Sequence, residues 1–134
     1  MNTNRDVAAL VGRILLALIF IMAGWSKIKG FDGTVGGIAS KGMPMPQLMA
    51  IGAIVVELGG GLLLAAGLKA RWAALAIFLF LIPATAFFHN FWAMTGEEQM
   101  RNQGQFMKNI AIMGGMLMVW AFGPGRISFD RERT

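Results

Sequence analysis

The chain has 134 residues, 56% hydrophobic and 14% charged, with 12 Lys and Arg against 7 Asp and Glu for a formal net charge of +5. With a mean hydropathy of +0.60 it has too little interior to hide its apolar side chains from water, and soluble domains carry about 25% charged residues; a water-soluble globule is excluded and lipid is the solvent implied. The basic residues are spread thinly at the ends of apolar segments, which fits orientation in a membrane and not a nucleic-acid surface, and the lack of cysteine removes disulfide exchange, thiolate catalysis and thiolate-bound metal.

Four apolar stretches follow in chain order, each close to the roughly 20 residues that span hydrocarbon. The first covers residues 7–25. Arg5 in front of it gives the outline of a signal peptide, but its length, Arg13 within it and the lack of an Ala-x-Ala site after it predict an uncleaved first helix. A polar, glycine-rich loop with Pro44 and Pro46 is expected over 27–46. The second span covers 47–67, and a tight turn at 68–71 makes it the antiparallel neighbour of the third, 72–92. Pro83 is expected to kink the third helix and free a carbonyl near Leu79. A polar connection over 93–105 carries Glu97, Glu98 and Arg101, the fourth span covers 106–122, and a short charged tail follows Gly123, Pro124 and Gly125. None of the stretches alternates as strands do, and four strands cannot close a barrel. The predicted fold is therefore all-α, one four-helix transmembrane domain over residues 1–134.

Orientation follows from the basic residues. Arg5, Arg13, Lys69, Arg71, Arg126, Arg131 and Arg133 fall on one side, against Lys27, Lys29, Lys41, Arg101 and Lys108 on the other. The richer side faces the cytoplasm, so the N and C termini are expected there. Trp25, Trp72, Trp92 and Trp120 lie near helix ends, as interfacial anchors do. Helices in lipid associate through small residues that admit close packing. Ala8 with Gly12, Gly61 with Ala65, Ala111 with Gly115, and the run Gly59, Gly60 and Gly61 are the expected contact surfaces. A phosphate-cradle reading of these glycines fails, because no Gly-Lys-Ser/Thr follows.

Glu57 is the most informative residue. It lies mid-span, where an isolated charge costs at least about 2.5 kcal/mol, so it is expected to face the bundle interior. Arg13 is its expected partner, roughly 6 Å away along the normal at 1.5 Å per residue. An architectural clamp between helices one and two and a carboxylate lining a ligand or proton site both remain open. A second group gathers at the outer helix ends: Lys27, His89, Asn90, Lys108 and Asn109. These can rim one pocket with Glu57 at its floor, suited to a polar head group with carbonyl or anionic oxygens, such as a quinone. Against this, Lys27 and Lys108 alone read as snorkelling anchors. The chain has eleven methionines, and thioethers at Met43, Met45, Met49, Met94, Met100 and Met107 can bind Cu(I), but adaptable packing accounts for them more simply. No metal is assigned: no His, Asp or Glu set has zinc spacing, and Ser26 and Ser40 lack a nearby base, which argues against a hydrolase. No fingerprint for NAD, flavin, haem or iron–sulfur is present, and no catalytic residue is assigned.

The ordered set RILLALIF at 13–20, AGWSKI at 23–28, VELGGG at 56–61, GLKAR at 67–71, FH at 88–89, FMKNIA at 106–111, GPG at 123–125 and SFD at 128–130 resembles the DoxX-like membrane proteins, in particular their short bacterial inner-membrane branch. The resemblance runs through nearly the whole chain. It implies a multi-pass protein of the bacterial inner membrane. The family takes its name from a subunit of an archaeal thiosulfate:quinone oxidoreductase, and a mycobacterial member resembles a membrane anchor for redox-defence partners. Carried over by motif, Arg13, Lys27, Glu57, Arg71, His89, Lys108, Asn109 and Asp130 occupy the family's polar positions, and Arg13, Glu57, Arg71 and Asp130 are where structural ion pairs are expected. The function expected is that of a quinone- or lipid-interacting component of a membrane redox system. The alternatives are a non-catalytic scaffold recruiting a redox partner protein, and a small-solute transporter, which with four helices requires a homo-oligomer.

Overall fold

The computed structural model describes residues 3–130. Arg131 and Arg133, counted above for orientation, lie outside the described residues. Among those described there is no strand. The elements are α1 (Thr3–Lys29), α2 (Phe31–Ser40), α3 (Pro46–Ile54), a π turn (Val55–Gly59), α4 (Gly60–Ala66), α5 (Ala70–Phe88), a 3₁₀ turn (Phe91–Ala93) and α6 (Gly96–Phe122). Three helical segments are long and apolar enough to cross a membrane: Thr3–Lys29, Pro46–Ala66 and Ala70–Ala93. The predicted fourth stretch forms the C-terminal part of α6, whose first half is polar.

Two segments expected to be loops are helical. The 27–46 connection contains α2, which lies against α1 and α3. Its glycines Gly33, Gly36 and Gly37 lower helix propensity, but Ile38 is buried and anchors it. The chain then turns at Gly42 (φ 73°) and Met45 (φ 48°), and Pro46 opens α3 at its first turn. The 93–105 connection is largely the polar start of α6, with Glu97 and Glu98 in its first turn, where acidic groups suit the helix dipole.

The core gathers Ala17 and Phe20 of α1, Leu64 of α4, Ala74, Ile77 and Leu81 of α5, and Met116 of α6. Small residues set the helix separations. A Cβ on Gly24 would fall 2.7 Å from the Leu58 Cβ, and one on Gly61 would fall 2.9 Å from Ile21 and 3.3 Å from the Ala17 carbonyl. Gly60 lies against Ile77 and Gly115 against Leu16. Gly12 and Gly59 have open space where a Cβ would stand, so these two expected contact points are not packing sites.

Arg13 does not meet Glu57. Its guanidinium is buried and donates to the carbonyls of Pro124 at 2.6 Å, Ile127 at 2.9 Å and Ala65 at 3.2 Å. The helix register explains the correction. Opposite Arg13 stands Ala65, roughly 12 Å beyond Glu57 along a helix axis at 1.5 Å per residue, which no arginine side chain spans. Asp130 likewise serves backbone: its carboxylate accepts from the amides of Lys69 at 2.7 Å and Ala70 at 2.9 Å. These are orphan donors at the start of α5. The segment after α6 thus straps the α4–α5 turn to α1, with Phe129 N donating to Ala66 O and Asp130 N to Gly67 O. Gly67 is in the left-handed region (φ 71°), and a Cβ there would meet Ser128.

Candidate functional site

Glu57 sits at the centre of the π turn, where the wider turn opens the helix before Gly60 and Gly61 return it to α geometry. Such turns occur often at functional sites. The Glu57 side chain is buried, and its Oε2 accepts from Lys27 Nζ at 2.9 Å. Lys27 reaches it because α1 continues past Trp25 to Lys29, and its side chain is 31% exposed against 7% for that of Glu57. The pair therefore joins a buried glutamate to a half-buried lysine.

What it opens onto is a cavity of about 790 Å³ between α1, α2, α3, α5 and α6. Its walls are mostly apolar, with Phe20, Ile38, Val56, Phe80 and Leu81 among them, while Gly33, Thr34 and Gly37 bring α2 across one side. Five of the six residues expected at a pocket line this cavity: Lys27, Glu57, His89, Lys108 and Asn109. Asn90 does not, and its Oδ1 is buried with no hydrogen-bond partner among the described residues. Asn109 is buried and donates to Thr85 Oγ1 at 3.0 Å. Lys108 Nζ donates to Gln105 Oε1, one turn back on the exposed side of α6. Pro83 lies inside α5 and lines the cavity.

Sequence reasoning missed Asn102. It is buried on α6; its Nδ2 donates to the Glu98 carbonyl at 2.9 Å, and its Oδ1 lies 2.9 Å from His89 Nδ1. The spacing of Asn102, Phe106 and Asn109 at i, i+4 and i+7 puts them on one helix face, a signal available only once residues 96–105 are read as helix. Beside them Phe91, Trp92 and Phe106 pack edge to face, with ring centroids 5.3 to 5.9 Å apart, closing the end of α5 onto α6.

Of the methionines expected on this side, Met43 and Met49 line the cavity, whereas Met45, Met100 and Met107 are exposed. Among the described residues no group of three or more His, Cys, Asp or Glu is placed to hold a metal ion.

Apolar helices that cross lipid, closed around a charged pair and a polar-edged cavity, define a multi-pass membrane protein. The chain belongs to the DoxX family, whose model matches residues 8–90. It is 41% identical over 128 residues to the inner membrane protein YphA of Escherichia coli (strain K12), covering 96% of this chain and 91% of that protein. It is 38% identical over 131 residues to the inner membrane protein YqjF of the same organism, covering 98% and 95%. It is 34% identical over 84 residues, 63% of this chain and 61% of the relative, to CatD of Bacillus subtilis (strain 168), whose name assigns it provisionally to the oxidoreductases. No solved structure matches it. With these relatives and its apolar helices, the chain is a multi-pass protein of the inner membrane.

Proposed function

We propose that this protein is a four-span component of an inner-membrane redox system that holds the polar head group of a quinone-type or lipid molecule in the cavity beside Lys27 and Glu57. The observation that carries the proposal is the one-sided burial of that ion pair. Both residues line the cavity, the Glu57 side chain 7% exposed and the Lys27 side chain 31%, so a donor stands ready for a carbonyl, hydroxyl or anionic oxygen while the apolar walls suit the rest of an amphipathic ligand. The oxidoreductase name of CatD supports the redox association. Electrons would be carried by the ligand or by another subunit.

Four crossings are supported by where the chain returns. Three crossings would leave it on the far side of the bilayer, yet Arg13 near the start of α1 holds the Pro124 and Ile127 carbonyls, so α6 is read as the fourth crossing. The described ends then share one side, and with Arg131 and Arg133 counted from the sequence it is the one richer in Arg and Lys and is read as cytoplasmic.

The test is to extract the protein into native-membrane nanodiscs and identify retained lipids and quinones by mass spectrometry. An amphipathic molecule with an oxygen-bearing head group is expected with the wild type and is expected to be depleted in Lys27→Ala. Equal retention by a folded Lys27→Ala variant overturns the proposal.

A further inference from the structure

The pair of His89, which lines the cavity, and Asn102 has a fixed hydrogen-bonding sense. A backbone carbonyl only accepts, so the Asn102 atom 2.9 Å from the Glu98 oxygen is the amide nitrogen. The Asn102 oxygen is therefore the atom facing His89 Nδ1, also at 2.9 Å. An amide oxygen only accepts as well, so His89 Nδ1 must carry the proton and donate. A neutral imidazole has one donor and one acceptor nitrogen. With Nδ1 the donor, Nε2 is left as a bare acceptor, and among the described residues no hydrogen bond engages it. His89 lines the cavity, whereas its partner Asn102 is buried on α6 and is not part of the lining.

We propose that Asn102 is a positioning residue that locks His89 as a hydrogen-bond acceptor toward the cavity, so that the site selects a head group bearing a hydroxyl, a hydroquinone in preference to its oxidised quinone. It rests on the head-group binding proposed above. A quinone carbonyl set against Nε2 opposes lone pair to lone pair. A phenolic hydroxyl donates to Nε2 and can still accept from Lys108, which lines the same cavity. The second oxygen of the ring takes its hydrogen bond from Lys27, which also lines the cavity. The selection concerns binding and involves no electron or proton transfer.

His89 is the sole histidine of the chain, so a protein carrying ¹⁵N only in histidine reports one ring without assignment. In nanodiscs without ligand, the neutral ring is expected to show a protonated Nδ1 and a bare Nε2. Tetramethylhydroquinone kept under argon, tetramethylquinone and the dimethyl ether of the hydroquinone are then titrated in turn. The hydroquinone is expected to bind roughly tenfold more tightly than the other two, the scale of one buried hydrogen bond made or left unmade, and to shift the Nε2 resonance. Asn102→Leu is expected to shift the ring toward the Nε2–H tautomer and remove the preference while all three probes still bind. Equal affinity for the three probes, or a wild-type ring protonated at Nε2, overturns the lock and leaves head-group binding standing. Failure of every probe to bind overturns head-group binding, and the selection with it. The wild-type spectrum and titration decide the matter even where Asn102→Leu does not fold.

Discussion

Lys27 Nζ stands 2.9 Å from Glu57 Oε2, joining the last turn of α1 to the π turn in the middle of the second span. The two residues differ in burial, and this asymmetry decides how each responds to loss of its partner. Glu57 without Lys27 is a buried carboxylate with no partner, whereas the Lys27 side chain, 31% exposed, is only half-buried when Glu57 is lost.

Lys27→Met is accordingly expected to destabilise the protein by about 1–3 kcal/mol, the cost of leaving a buried polar group unsatisfied. Glu57→Gln is expected to cost less, because an amide in place of the carboxylate still accepts from the ammonium. The double variant Lys27→Met/Glu57→Leu is expected to recover much of the loss, since replacing both members of a buried pair by apolar groups is far less costly than removing one. Thermal unfolding in detergent, arranged as a double-mutant cycle, measures the coupling. Strictly additive single effects would show that the pair does not hold α1 to the π turn.

Arg13 carries a different duty, spreading one guanidinium over the carbonyls of Ala65, Pro124 and Ile127. Arg13→Lys is expected to cost at least about 2 kcal/mol, on the scale of lost hydrogen bonds to a charged group, because a single ammonium cannot match the planar fork. The strap over residues 123–130 is expected to become open to protease from the same side as the N terminus. Limited proteolysis of inside-out vesicles checks both the loosening and the side. Unchanged cleavage and unchanged unfolding temperature would contradict this role.

The helical class and the membrane were legible because an unbroken apolar run of about 20 residues matches the thickness of hydrocarbon that a helix must cross, and Glu57 was legible because a mid-span carboxylate must turn inward. Its partner was not. Choosing between Arg13 and Lys27 depends on the helix register, and that register is set by contacts such as Gly24 on Leu58 and Gly61 on Ala17, which no composition window contains. The π turn was hidden for the same reason: nothing in the run from Val55 to Gly59 distinguishes π from α hydrogen bonding. α2 was missed because its three glycines read as a loop, and its helicity comes from lying on α1 and α3. Asn102 was missed because the polar start of α6 was read as a connection.

That register yields a discriminating pair of substitutions. A Cβ at Gly24 meets not only the Leu58 side chain but its backbone nitrogen, at 2.8 Å, so the neighbour cannot yield by changing rotamer. Gly24→Ala is expected to force α1 from the π turn at a cost of about 1–3 kcal/mol, as overpacking does, and to weaken the Lys27–Glu57 contact one turn on. Gly12→Ala, on the same helix with nothing within 4 Å, is expected to match the wild type or to gain up to about 1 kcal/mol from the better helix propensity of alanine. Comparing unfolding temperatures of the two in one detergent removes the general effect of alanine. Equal temperatures would mean that Gly24 is not the contact point.

Gly52 separates the cavity as a site from the cavity as a gap. It lies on α3 before the π turn, lines the cavity, and has no atom within 4 Å of the place where a Cβ would stand. The first atom of a leucine at this place therefore meets no neighbour, and removing a helix-interior glycine, as Gly52→Leu does, favours the helix by up to about 1 kcal/mol. The variant is expected to be as stable as the wild type or more so, because a filled apolar void restores lost dispersion contacts. If the space is where a head group sits, the same substitution is expected to expel the retained molecule that mass spectrometry finds with the wild type. A stabilised Gly52→Leu protein that keeps its ligand would place that ligand elsewhere on the bundle and reduce the cavity to imperfect packing.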